Sequence, residues 1–273
     1  MIKSVVIFSL IFLTVSCSEN KSQKNISEND NSTEIESSEN IINPNGFTIK
    51  TRFNAPIGFT RKENGTDSFE NYLQNLPLKK NGSLTQLYDG SVKENRRIYL
   101  AVVDLPIGNK DLHQCADGVM RLRAEYLFSQ KRYNEISFLT ASGKQLNYAT
   151  WLNGREPNKT NFWNYLEALF NVANTTSLNK QLKSKPVQKL EIGDVFIYPW
   201  QGRMYGHAII IVDKCVNSEG EVKFMLAQSF TPAQEIEILD NPNDQGSPWY
   251  DLDFGETLDT PQIDFSNNQL KRF

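Results

Sequence analysis

Gly206-His207-Ala208-Ile209-Ile210-Ile211-Val212-Asp213-Lys214-Cys215-Val216-Asn217-Ser218-Glu219-Gly220-Glu221-Val222-Lys223-Phe224-Met225-Leu226-Ala227-Gln228 reads as two strands joined by a polar turn. The first half is rich in β-branched residues, and Asn217 to Gly220 supplies the turn chemistry, so the segment predicts an antiparallel hairpin. With a loop over 217–220, Val216 pairs with Glu221 and Ile209 falls opposite Gln228. Gln228 is then the diagonal neighbour of His207 on the same face. A slip of one residue would undo that juxtaposition.

Working outward, Glu191-Ile192-Gly193-Asp194 is a turn that leads into a strand over Val195 to Tyr198. Phe162, Leu166, Leu169, Phe170 and Ala173 form an apolar stripe that predicts a helix from Asn161 to Ala173. Cys115, Val119, Leu122 and Tyr126 form a second stripe, with Asp111 as the expected cap. Ser83 to Tyr88 and Arg97 to Val103 read as strands around Asp89-Gly90, and Ser68 to Leu76 reads as a short helix stopped by Pro77. The tail from Pro232 is rich in Pro, Asn and Asp and is expected to wrap the surface. Together these elements predict an α+β domain in which the helix bearing Cys115 packs on an antiparallel sheet.

The start of the chain has a different character. Lys3 precedes an apolar run from Val5 to Val15 and then Ser16-Cys17, the layout of a cleavable secretory leader, and the run is shorter than the roughly 20 residues a membrane span needs. Small residues followed by Cys17 resemble a lipobox, which implies lipidation at Cys17 and membrane attachment through acyl chains such as palmitate. Ser18 to Pro44 holds six acids against two bases and almost no large apolar residues. It reads as a disordered tether. The domain limits are therefore 1–17 for the leader, 18–44 for the tether and 45–273 for one globular domain. Formal net charge is −3, with no basic patch to suggest a nucleic-acid partner. No zinc-ligand spacing and no phosphate-binding glycine loop is present, so no metal or cofactor is expected.

Three residues carry potential chemistry. Cys115 near a helix N-terminus meets unpaired N–H groups and the positive end of the helix dipole, which predicts a lowered thiol pKa and a nucleophile reactive near neutral pH. A small buried hydrophobe is the competing role for it. His207 opens an apolar strand after Gly206, and Gln228 lies within reach of it. His113, two residues from Cys115, points to another face. Cys215 lies eight residues beyond His207, roughly 26 Å at about 3.3 Å per residue, so Cys115 cannot be disulfide-bonded to Cys215 and also sit beside His207.

A helix-borne Cys, a Gly-Asp turn, a His-led strand and a further strand with a polar residue is an order that resembles the papain-like superfamily, specifically the NlpC-type peptidases and amidases. The matching pieces are Gln114-Cys115-Ala116-Asp117, Ile192-Gly193-Asp194-Val195-Phe196, Gly206-His207-Ala208 and Ala227-Gln228-Ser229. That resemblance implies a papain-like fold with Cys115 as nucleophile, His207 as general base and Gln228 as orienting residue. From Gly58 onward the chain also resembles a family of bacterial lipoproteins carrying a domain of unknown function. The motifs are Leu76-Pro77-Leu78, Asp111-Leu112-His113-Gln114-Cys115-Ala116-Asp117, Gly193-Asp194-Val195-Phe196-Ile197, Gly206-His207-Ala208, Ala227-Gln228-Ser229-Phe230-Thr231-Pro232-Ala233-Gln234 and Ser247-Pro248-Trp249-Tyr250.

The implied activity is hydrolysis of amide bonds, with peptidoglycan peptides or a related envelope peptide as substrate. The implied location is the bacterial cell envelope, outer membrane first, facing the periplasm or the surface. Trp200, Tyr205, Trp249 and Tyr250 are candidates to line a substrate groove. A thiol acyltransferase would use the same residues. A non-catalytic glycan- or peptide-binding module on the same scaffold, and a structural lipoprotein with a Cys115–Cys215 bridge, are the other readings.

Overall fold

The computed structural model describes residues 40–199, 202 and 206–273. The expected leader, Cys17, Trp200 and Tyr205 lie outside the described residues. Among the described residues the frame is a nine-stranded sheet. Its main path runs Tyr99–Val102, Glu237–Leu239, Val222–Gln228, His207–Asn217, Val195–Tyr198, Leu270–Arg272 and Lys183–Ser184. Phe59–Arg61 adds to the His207 strand, and Tyr250–Asp251 adds to the strand ending at Gln228. All of these pairings are antiparallel.

Both faces of the sheet are covered, which explains why the run from Ala208 to Val212 is apolar without interruption. Ala208, Ile210 and Val212 pack with Val119 and Leu122 of the helix Cys115–Ser129 and Leu166 and Leu169 of the helix Lys159–Val172. Ile209 and Ile211 face Phe224, Leu226, Tyr250, Leu258 and Phe265 on the other side. Each of these large aliphatic or aromatic side chains contributes about 1.5–3 kcal/mol by leaving water.

The hairpin forms with one difference. Val216 pairs with Val222 rather than Glu221, and a bulge between Ile211 and Asp213 absorbs the extra residue, so that Ile210 pairs with Ala227. Two shifts of one residue cancel. Gln228 therefore ends beside Ile209, as the alternation predicts. Below the bulge, Asp213 is fully buried, with its carboxylate accepting from Arg61 Nε at 2.6 Å and Gln74 Nε2 at 2.7 Å.

The helix Cys115–Ser129 buries Val119, Leu122 and Tyr126, the predicted stripe. Its cap differs from expectation. Gln114 is the N-cap, and its N–H donates to Asp117 Oδ2 at 3.1 Å. Asp111 stands one turn earlier and accepts from Gln114 Nε2 and from the Ala233 N–H. Gly118 lets this helix press against the end of the Gln228 strand, because a Cβ there would lie 2.9 Å from Ser229 Cβ.

Three expectations are corrected. Ser83 to Tyr88 is not a strand; Tyr99–Val102 takes Glu237–Leu239 as its partner instead. The tail does more than wrap the surface, since Glu237–Leu239 and Leu270–Arg272 are interior strands of the main sheet. The packed unit also begins before Asn45: Ile42 bridges to Phe53, and the Asn43 N–H donates to Arg52 O. Apolar Ile41 and Ile42 lie against the main core and so belong to the domain rather than to a tether.

Candidate functional site

Cys115 is the first residue of its helix, His207 the first of its strand, and Gln228 the last of the neighbouring strand. Antiparallel pairing brings a strand start and a strand end to the same edge, and the helix N-terminus is aimed at it. Cys115, Gly206 and His207 share the wall of a cavity of about 390 Å³ with Asp117, Phe170, Phe230, Thr231 and Ile263. This assembly is tertiary. The segments that supply it lie scores of residues apart.

The geometry around His207 is asymmetric. Its Nε2 is 2.8 Å from Gln228 Oε1. Its Nδ1 is buried and has no hydrogen-bond partner among the described residues. Phe230 and Phe265 pack on the ring, with centroids at 5.0 and 5.9 Å. Burial pushes the imidazole pKa down to about 4, against a rise from the Gln228 bond and with a further lowering from the Lys93 charge. The ring is neutral near pH 7.

Cys115 Sγ donates to Gly206 O at 3.6 Å, on the peptide unit just before His207. No direct hydrogen bond joins the thiol to the imidazole. The expected lowering of the thiol pKa is overturned: burial, then the Asp117 carboxyl, push it up to about 11. The N–H groups of Ala116, Cys115 and Ala208 do pull it down, as helix-end reasoning predicts, but by less than desolvation raises it. Burial raises Asp117 itself well above the usual carboxylate range, and its Oδ1 has no hydrogen-bond partner among the described residues.

Both Cys115 and Cys215 are free. Cys215 is buried at the far end of the His207 strand, opposite Lys223 and Arg61, which excludes the bridged reading. His113 is a core residue, its Nδ1 2.9 Å from Gln234 O and its ring edge on Phe170. Burial, and then Arg121, lower its pKa to about 3.

Two groove candidates are corrected. Trp249 and Tyr250 are 1% and 2% exposed. Trp249 Nε1 donates to Asn54 O and Tyr250 Oη to Asp240 O, so their polar tips are satisfied within the core, away from the Cys115 cavity. The walls come instead from Phe170, Phe230 and Ile263, apolar residues in helix or loop with nothing local to mark them. Sequence reasoning also missed Gln262, whose Oε1 accepts from Gln228 Nε2 at 2.5 Å, and the pair Lys93–Glu237 behind it. Among the described residues, no cluster of His, Cys, Asp or Glu is arranged to hold a metal ion.

A family model described as a domain of unknown function (4846) matches residues 49–159 and 155–272. Comparison with curated proteins and with solved structures returned no match.

Proposed function

We propose that this chain, which belongs to the family described as a domain of unknown function (4846), is a thiol-dependent hydrolase of amide bonds with a papain-like arrangement of Cys115, His207 and Gln228. The observation that carries the reading is the division of labour on His207. One ring nitrogen is held by Gln228 at 2.8 Å, and the other has no hydrogen-bond partner among the described residues, in a ring that shares a cavity wall with Cys115. A base needs that combination of an oriented ring and a free lone pair.

In the proposed reaction Cys115 Sγ attacks the substrate carbonyl carbon while His207 Nδ1 takes the thiol proton. The first-turn N–H groups of Cys115 and Ala116, which helix geometry leaves without intrahelical acceptors, face the developing oxyanion. The C–N bond then breaks as the imidazolium returns its proton to the leaving amine. Water deprotonated by His207 cleaves the thioester and frees the thiol. Because the resting thiol and imidazole are both neutral, proton transfer accompanies attack; no thiolate–imidazolium pair is stored beforehand.

Peptidoglycan stem peptides are the proposed substrates, with the protein held in the envelope by a lipid on Cys17. An acyltransferase would differ only in replacing water with an amine or hydroxyl acceptor. A second reading, a non-catalytic peptide- or glycan-binding module, is favoured by the high thiol pKa and by the absence of a direct Cys115–His207 hydrogen bond.

The discriminating experiment is incubation with muropeptides, read by product analysis and by the intact mass of the acid-quenched protein. Cleavage that disappears in Cys115→Ala and His207→Ala, with an acyl adduct mapped to Cys115, supports the hydrolase. Saturable binding that is unchanged in Cys115→Ala and yields no product selects the binding module.

A further inference from the structure

Gln228 and Glu237 are directly opposed across neighbouring strands. Glu237 is fully buried, and its Oε2 accepts from Lys93 Nζ at 2.7 Å. The same Oε2 lies 3.5 Å from Gln228 Nε2. Lys93 is also almost entirely buried and sits 5.7 Å from the centroid of Phe230, the ring that packs on His207. It arrives there on a loop whose Lys93 N–H donates to Thr85 O. A buried ion pair thus stands directly behind the residue that touches His207.

The chemistry of these groups is directional. A carboxylate paired with an ammonium only accepts. It therefore turns the NH₂ end of the Gln228 amide toward itself, since the reverse orientation would set two oxygens against each other in a buried space. Gln262 Oε1, at 2.5 Å, accepts from the same NH₂. The Gln228 carbonyl is left facing His207 and can only accept, so His207 Nε2 must carry the hydrogen. In a neutral ring that leaves the lone pair on Nδ1.

We infer that Lys93 and Glu237 are positioning residues that lock the Gln228 amide in one orientation and, through it, hold His207 in the Nε2–H tautomer with Nδ1 as the free base. The catalytic meaning of this lock rests on the hydrolase reading, whereas the tautomer itself does not. Without Lys93, Glu237 becomes an unpaired buried carboxyl and takes up a proton. It can then donate to Gln228 Oε1. The amide turns over together with that of Gln262, whose NH₂ then donates to Gln228 Oε1; the Gln228 NH₂ faces His207 Nε2, and the hydrogen of the ring moves to Nδ1.

The test is nitrogen NMR of the full chain labelled at histidine, in neutral buffer without substrate. The chain has two histidines, and His113 is an internal control, because its Nδ1 faces a carbonyl at 2.9 Å and must carry the hydrogen. The expected result is a pyrrole-type Nε2 at His207 and a pyrrole-type Nδ1 at His113. In Lys93→Met the His207 pattern reverses while His113 is unchanged, and Lys93→Arg restores it.

Should Lys93→Met fail to fold, the double variant Lys93→Leu, Glu237→Leu removes the pair without stranding a charge. There His207 is expected to become a mixture of tautomers. An Nδ1–H tautomer at His207 in the unmodified protein overturns the proposal. So does a pure Nε2–H tautomer in Lys93→Met or in the double variant. Loss of the hydrolase reading in the muropeptide experiment leaves these spectra as they are, so the two failures are told apart.

Discussion

The alkylation of Cys115 as a function of pH is a direct measure of what burial does at this site. With the thiol pKa pushed up to about 11, about one molecule in 10⁴ carries the thiolate at pH 7, against a few in a hundred for a free cysteine of pKa about 8.5. Ionisation alone therefore makes Cys115 about 300-fold slower than an exposed cysteine. The assay is iodoacetamide labelling of the full chain over a range of pH, with peptide mapping by mass to separate Cys115 from Cys215. The rate should climb about tenfold per pH unit, with no plateau below about pH 10. Asp117→Asn refines the test. Burial raises the Asp117 pKa well above the usual carboxylate range, and its repulsion of the thiolate acts only in the ionised form. The variant should exceed the native rate, with the gain growing toward high pH as more of the native Asp117 is ionised. A plateau beginning near or below pH 7 would refute the reasoning, because it would mean a thiolate already stabilised in the resting protein.

Four further outcomes follow from the packing. Gln228→Leu leaves the buried His207 Nε2 without its acceptor and should cost about 1–3 kcal/mol in denaturant unfolding. Asp213→Ala strands Arg61 beside a buried space and should cost about 3–5 kcal/mol in the same measurement. Trp249→Ala should lose about 3–5 kcal/mol of stability while the pH profile of Cys115 alkylation is unchanged, since the ring belongs to the core and not to the cavity. Stability should also fall on acidification. The unfolded chain protonates His207 near pH 6.5 whereas the folded one holds it down to about 4, so its contribution is complete above that window and is lost at about 1.4 kcal/mol per pH unit within it. His207→Asn should flatten that part of the curve.

Particular residues show why some of this could be read from the chain and some could not. The Cys115 helix was visible because Val119, Leu122 and Tyr126 recur at the helical period and bury one face. The pairing of His207 with Gln228 was visible because strand alternation and a four-residue turn constrain which side chains share a face. It survived a wrong pairing at the turn only because the bulge between Ile211 and Asp213 restored the register. Trp249 and Tyr250 were misjudged because an aromatic residue in a Pro-rich segment looks alike whether it lines a groove or plugs a core. Their hydrogen bonds to Asn54 and Asp240 are what separate the two roles. The strands Glu237–Leu239 and Leu270–Arg272 carry three residues each. Segments that short have no period to detect.

Local order was therefore written in the chain: the helix stripe beginning at Cys115, the apolar strand opened by His207, and the polar Gln228 at the end of its partner. Hydrophobic periodicity and turn chemistry act over neighbouring residues, and they suffice for those features. The protonation of the site was not written there. A helix N-terminus argues for a reactive thiolate at Cys115, and desolvation in a site walled by five separate segments reverses that, giving a thiol near 11 beside an imidazole near 4. Burial depends on every element that packs around a group. The energy of a charge follows burial more steeply than it follows any one neighbour in sequence.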